Sequence, residues 1–124
     1  MTVRITAQSE NHLVADEMIE EVVQKIRSEL EEYFFGFDDA TLMNVLFEKL
    51  REKDLMIASA ESLTGGMFAE GLTSIPGAGL VYKGGIVCYT NENKEQLLGI
   101  DPQLLATDGA VSAACAENLA LNVA

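Results

Sequence analysis

The residues of this chain best suited to chemistry fall in two short runs. The first, Ala60-Glu61-Ser62-Leu63-Thr64-Gly65-Gly66, places two hydroxyls and paired glycines directly after an apolar segment. If a strand ends and a helix opens there, free backbone N–H groups and the positive end of the helix dipole meet at one point, a seat for phosphate or carboxylate. Ser62 and Thr64 would add hydrogen bonds, and Gly65 and Gly66 would let a ligand approach the backbone closely. The plainer reading of the same residues is a capped helix start with Thr64 or Ser62 as N-cap, and local pattern alone favours it.

The second run, Tyr89-Thr90-Asn91-Glu92-Asn93-Lys94, closes another apolar segment. Ligands of open α/β sheets bind beyond the carboxyl ends of strands, and Ser62 follows one expected strand as Tyr89 ends another. A lysine partly stripped of water there can act as a general base; a solvated lysine on a short helix is the plainer alternative. Gly77-Ala78-Gly79 is not a dinucleotide fingerprint, because its third glycine would fall at Tyr82 and it precedes a strand.

Several elements must position these runs. Val3, Ile5 and Ala7 alternate with polar residues and predict a short strand. Val14, Met18, Ile19, Val22, Val23, Ile26 and Leu30 form one stripe of a helix over residues 11–33. The cluster Tyr33-Phe34-Phe35-Gly36-Phe37 breaks that pattern and suits a connection pinned against a core. Asp38 and Asp39 are the expected N-cap of a second helix bearing Leu42, Val45, Leu46 and Leu50. Leu55 to Ala58 reads as a doubly buried strand. A helix from Gly65-Gly66 to Thr73, a strand over 85–90, a helix over 91–98 ending near Gly99, and an Ala-rich helix over 113–123 complete the reading. Alternating strands and helices imply an α/β sheet with covering helices.

Composition narrows the function. The 124 residues carry a net charge of −12, and after Lys53 the basic side chains are Lys83 and Lys94 alone. Direct binding of nucleic acid, which draws most of its affinity from phosphate neutralisation, is therefore not expected. Cys88 and Cys115 read as buried thiols, and His12 is the sole histidine, so no metal site is expected. No apolar run is long enough to span a membrane. With no signal-like start, a cytoplasmic location is expected.

In order along the chain, Ala60-Glu61-Ser62-Leu63-Thr64-Gly65-Gly66, Leu72-Thr73, Ile75-Pro76-Gly77, Lys83-Gly84-Gly85, Tyr89, Asn91-Glu92, Lys94, Leu98-Gly99 and Gly109-Ala110-Val111-Ser112 resemble the C-terminal domain of the competence- and damage-inducible CinA proteins. The resemblance implies a layered α/β/α domain, of which residues 38–124 are the first half. Residues 1–37, a strand plus a long helix, resemble the tail of the segment preceding that domain. The implied reaction is hydrolysis of nicotinamide mononucleotide to nicotinic acid mononucleotide and ammonia, with no metal and no cofactor. Lys94 matches the family's base and Tyr89 a nearby tyrosine, while Ser62, Thr64, Gly65 and Gly66 match a loop that holds the ligand or the oxyanion.

Two departures bear on activity. The position of the family's nucleophilic serine falls on Gly79, and its neighbour Ala78 is no substitute. The family's later half, with a Gly-Ile-Ala-Gly-Pro-like loop, further strands and an arginine, does not follow Ala124. Weak or absent turnover is therefore expected, along with self-association or a partner over the exposed sheet edge. One rival reading is a hydrolase using Ser62 or Thr64 with Lys94. A second is a non-catalytic nucleotide-binding or protein-interaction module linked to competence, and a third is a piece with no independent function.

Overall fold

The computed structural model describes residues 3–124, which divide into two compact units, residues 3–40 and 41–124. The first unit is built on helix α1 (His12–Leu30), opened by Asn11, whose side chain accepts from the Leu13 N–H at 3.0 Å. A 3-10 turn, Glu31–Tyr33, follows it. Phe34 and Phe37 meet edge-on with ring centroids 4.9 Å apart. The Arg27 guanidinium lies over both rings, at 5.4 and 6.0 Å. The strand expected at residues 3–7 does not form. Ile5 and Ala7 are half-buried and Arg4 and Thr6 exposed, so the alternation survives, but the segment has no ladder partner among the described residues.

The second unit begins with α2 (Leu42–Glu52). Its N-cap is Thr41, whose hydroxyl accepts from the Asn44 N–H at 3.1 Å, not Asp38 or Asp39. The helix starts later than its acidic residues suggest because Asp38 takes a positive φ of 50°. Two parallel strands follow, β1 (Ile57–Glu61) and β2 (Tyr82–Val87). Both lie away from the positions that local hydropathy indicates. Leu55 and Met56 remain about half exposed while Ile57–Ala60 become partly buried, because pairing with β2 decides which residues extend. Helix α3 (Met67–Thr73) lies between the strands in sequence, and α4 (Asn91–Leu98), α5 (Pro102–Thr107) and α6 (Ala113–Val123) follow β2. Helix α5 is absent from the elements expected from hydropathy, and its local signal is Asp101-Pro102, an N-cap followed by a proline at the first helical position.

The register explains how a two-stranded sheet separates two cores. Ile57 pairs with Tyr82 but Ala58 pairs with Gly84, so Lys83 is an extra residue on β2. The irregularity is carried by Gly84, whose φ of 139° is closed to residues with a Cβ. The slip brings Ile57, Tyr82, Ser59, Gly85, Glu61 and Val87 to one face and Ala58, Gly84, Ala60 and Ile86 to the other. On the first face Tyr82 joins Phe47, Leu50, Leu72 and Val81 in a core closed by α2 and α3. Ser59 and Tyr82 share a 2.6 Å hydroxyl hydrogen bond there. Gly85 sits under this pair, and a Cβ at that position would collide with both oxygens. On the second face Ala60 and Ile86 pack against Cys88, Leu98, Ile100, Leu105, Cys115 and Leu119 from β2's end and α4–α6. The layered α/β/α arrangement follows from these two cores.

Candidate functional site

Both chemically suited runs leave the carboxyl ends of the paired strands, Ser62 directly after β1 and Tyr89 two residues after β2. Helix α4 is capped by the Thr90 hydroxyl, which accepts from the Asn93 N–H at 3.1 Å. One turn in, α4 directs Lys94 inward, where only 2% of its surface is exposed. The Lys94 ammonium or amine nitrogen has three partners: Ser62 Oγ at 3.1 Å, the Cys88 carbonyl at 2.8 Å and the Tyr89 carbonyl at 3.3 Å. The ion pairs among the described residues, Lys25–Glu21 and Arg51–Glu48, do not include it. Three acceptors satisfy an ammonium. The same atoms equally satisfy an amine that gives two N–H bonds to the carbonyls and takes the Ser62 O–H.

The other predicted residues are placed differently. The Tyr89 side chain is 67% exposed, and its contribution to Lys94 is the backbone carbonyl. Thr64 and Gly65 are exposed on the loop between β1 and α3. Gly66 is the N-cap of α3 in the left-handed region (φ 101°), so neither Ser62 nor Thr64 caps that helix. Gly79 lies exposed in a 3-10 turn, Ala78–Leu80, and a Cβ there would meet nothing within 4 Å.

The helix start is not the open anion seat that the glycines suggest. Glu61, the last residue of β1 and 6% exposed, accepts from the Phe68 N–H at 3.0 Å and the Ala69 N–H at 2.9 Å. The first turn of α3 is thus already occupied by a carboxylate of the chain itself. The sequence reading missed this role. Its signal is an acidic residue at the end of an apolar segment, seven and eight positions ahead of the N–H groups it takes.

Burial pushes the Glu61 carboxyl up, yet the Phe68 and Ala69 N–H groups, the Thr64 hydroxyl and the Gly66 N–H together hold it below its ordinary value of 4.5. A carboxylate depressed in the folded state stabilises the fold at neutral pH. That contribution is lost as pH falls below the unfolded value and through the folded one. Melting temperature is therefore expected to drop more steeply between about pH 5 and 3 in the parent chain than in Glu61→Gln. Parallel curves for the two proteins would remove Glu61 from the acid response.

A cavity of about 560 Å³ opens in the first unit, lined by Ile5, Ile19, Val23, Ile26, Leu30 and Phe34 among others. It is remote in sequence from Ser62 and Lys94 and contains neither. Among the described residues no helix is long and apolar enough to cross a membrane. No group of three or more His, Cys, Asp or Glu side chains there is arranged to hold a metal ion.

A parallel strand pair between two helical layers, with a serine–lysine contact beyond its carboxyl edge, defines an α/β protein whose contact lies where ligands of that class usually bind. The family can be stated more closely. The CinA C-terminal domain matches residues 39–124, and the damage-inducible protein CinA KH domain matches residues 1–36. The chain belongs to the CinA family. A competence-damage inducible protein of Geobacillus kaustophilus is 47% identical over 123 residues, 99% of this chain and 30% of the relative. The chain thus spans about a third of the length of the curated relatives it matches. Competence/damage inducible protein CihA from Agrobacterium tumefaciens superposes with a TM-score of 0.65 at 37% identity, over 73% of this chain and 55% of that one. A CinA superfamily protein from Escherichia coli gives 0.66 at 26% identity, over 76% and 58%.

Proposed function

We propose that residues 41–124 carry a metal-independent serine–lysine amidohydrolase site for nicotinamide mononucleotide, in a protein of the competence- and damage-inducible type. The observation that supports this most is the 3.1 Å contact between Lys94 Nζ and Ser62 Oγ. Ser62 is the nucleophile in this reading. Gly79, the position that the family resemblance assigns to the nucleophile, offers no hydroxyl, and the hydroxyl that Lys94 holds is that of Ser62.

The reaction runs in two halves. Lys94, as an amine, takes the Ser62 proton while Oγ attacks the carboxamide carbon of the substrate. The N–H groups of Leu63 and Thr64, which meet no acceptor among the described residues, are the donors available to the developing oxyanion. The Lys94 ammonium passes the proton to the amide nitrogen, and collapse breaks the C–N bond and releases ammonia. Water then gives a proton to the same amine and attacks the Ser62 ester, and the Lys94 ammonium returns that proton to Oγ as the acid leaves, which restores the hydroxyl. Amide and water go in; acid and ammonia come out.

The test is ammonia release from nicotinamide mononucleotide by the chain, with Ser62→Ala beside it. Ser62→Ala is expected to lose turnover by about 10³-fold or more at an unchanged melting temperature. Equal rates in the two proteins would exclude Ser62 as nucleophile. The absent side chain at Gly79 favours a second reading, a site that binds the nucleotide without cleaving it. Calorimetric binding with no ammonia would establish that reading instead.

A further inference from the structure

The Ser62–Lys94 contact belongs to a closed ring of bonds. From Ser62 the chain runs back one peptide to Glu61, whose carbonyl accepts from the Cys88 N–H at 2.8 Å. The Cys88 Sγ lies 3.5 Å from the same carbonyl oxygen. The Cys88 carbonyl accepts from Lys94 Nζ at 2.8 Å, and Lys94 returns to Ser62 Oγ at 3.1 Å. Glu61 is the member of this ring whose side chain ties it to α3, through its carboxylate to the Phe68 and Ala69 N–H groups. Between these anchors the loop has local turn bonds from the Gly65 N–H to the Ser62 carbonyl and from the Met67 N–H to the Thr64 carbonyl, both 3.1 Å. These bonds shape the loop but do not orient it against the sheet.

We infer that Glu61 is the positioning residue of the Ser62–Lys94 pair: its carbonyl sets the distance to β2's end and its carboxylate sets the orientation of the loop that presents Ser62. The inference rests on the amidohydrolase reading for its catalytic consequence, but the positioning itself can be observed without turnover. The carboxylate supplies two acceptor oxygens to two N–H donors. A glutamine keeps the shape but turns an N–H₂ toward one of those donors, which releases one end of the loop. A serine displaced by even 1 Å from its attack geometry is expected to lose about 10²-fold in rate.

The experiment compares the parent chain with Glu61→Gln and with Thr41→Ala, which weakens an N-cap away from the ring. Three quantities are measured: kcat and KM for ammonia release, the melting temperature, and the NMR cross-peak of the Lys94 Cε–Hε group. Positioning predicts that Glu61→Gln lowers kcat about 10²-fold with little change in KM and displaces the Lys94 cross-peak, while Thr41→Ala lowers only the melting temperature. If Glu61→Gln merely melts earlier, with kcat and the cross-peak at parent values, Glu61 is a helix cap and the inference is wrong. If the parent chain releases no ammonia, the amidohydrolase reading falls and the cross-peak decides alone. A displaced peak then upholds positioning and an unmoved peak overturns it. Should Glu61→Gln fail to fold, Glu61→Asp, which keeps the charge on a shorter arm, is judged by the same two readouts.

Discussion

Lys94→Met is expected to abolish ammonia release, by about 10³-fold or more, and to leave the chain folded. The loss is large because the proposed chemistry uses the same nitrogen in both halves, to take the Ser62 proton and protonate the leaving amide nitrogen and then to activate water. Methionine has nearly the reach of lysine but can do none of these. Folding is retained because two costs oppose each other. The substitution leaves the Cys88 and Tyr89 carbonyls without the Nζ donor, at about 1–3 kcal/mol for each buried polar group left unpaired. It also removes the cost of holding a polar nitrogen on a side chain that is 2% exposed and belongs to neither ion pair of the described residues. Ammonia release and a thermal melt on the same sample decide the matter. Turnover within about tenfold of the parent would exclude Lys94 as the base, since general-base catalysis contributes about 10²–10⁴-fold.

Leu72→Ala is expected to cost about 3 kcal/mol, within the usual range of about 2–5 for a buried leucine. Leu72 is fully buried in α3, among Phe47, Leu50, Val81 and Tyr82. Its neighbours come from a helix, a strand and the turn before that strand, so few of them are free to move into the gap. In a unit of this size the loss corresponds to a fall in melting temperature of roughly 12–24 °C. The damage should spread to the site. Helix α3 holds the Glu61 carboxylate at its other end, and a loosened helix releases the loop that carries Ser62. Denaturant titration with an unchanged m-value would confirm a plain loss of stability. A shift under about 3 °C would mean that the core collapses around the vacancy instead of leaving a cavity.

The helices were legible because their signals are local. Asn91–Leu98 and Ala113–Val123 begin and end where the sequence indicates, since Thr90 and Ser112 cap their starts and Gly99 takes the left-handed conformation after Leu98. Strand positions were less legible. Leu55-Met56 is as apolar as a buried strand requires, yet β1 begins at Ile57, where the Ile57 N–H finds the Val81 carbonyl at 2.8 Å. A hydropathy pattern shows that a segment can be buried and does not reveal which partner will bury it. The segment at residues 3–7 makes the converse point, with a strand pattern but no ladder among the described residues.

By itself the sequence determined the family, the α/β class, the helices of the second unit other than α5, and the two runs that meet beyond the strand ends, because ordered motifs and helical period are read along the chain. Only the tertiary structure decided that Lys94 reaches Ser62, 32 positions away, and that Glu61 occupies the start of α3. Both follow from the parallel register and the extra residue at Lys83, which place Glu61 on the face of α3 and bring Cys88 against the Glu61 carbonyl. That register is a property of two strands meeting, and neither strand encodes it alone.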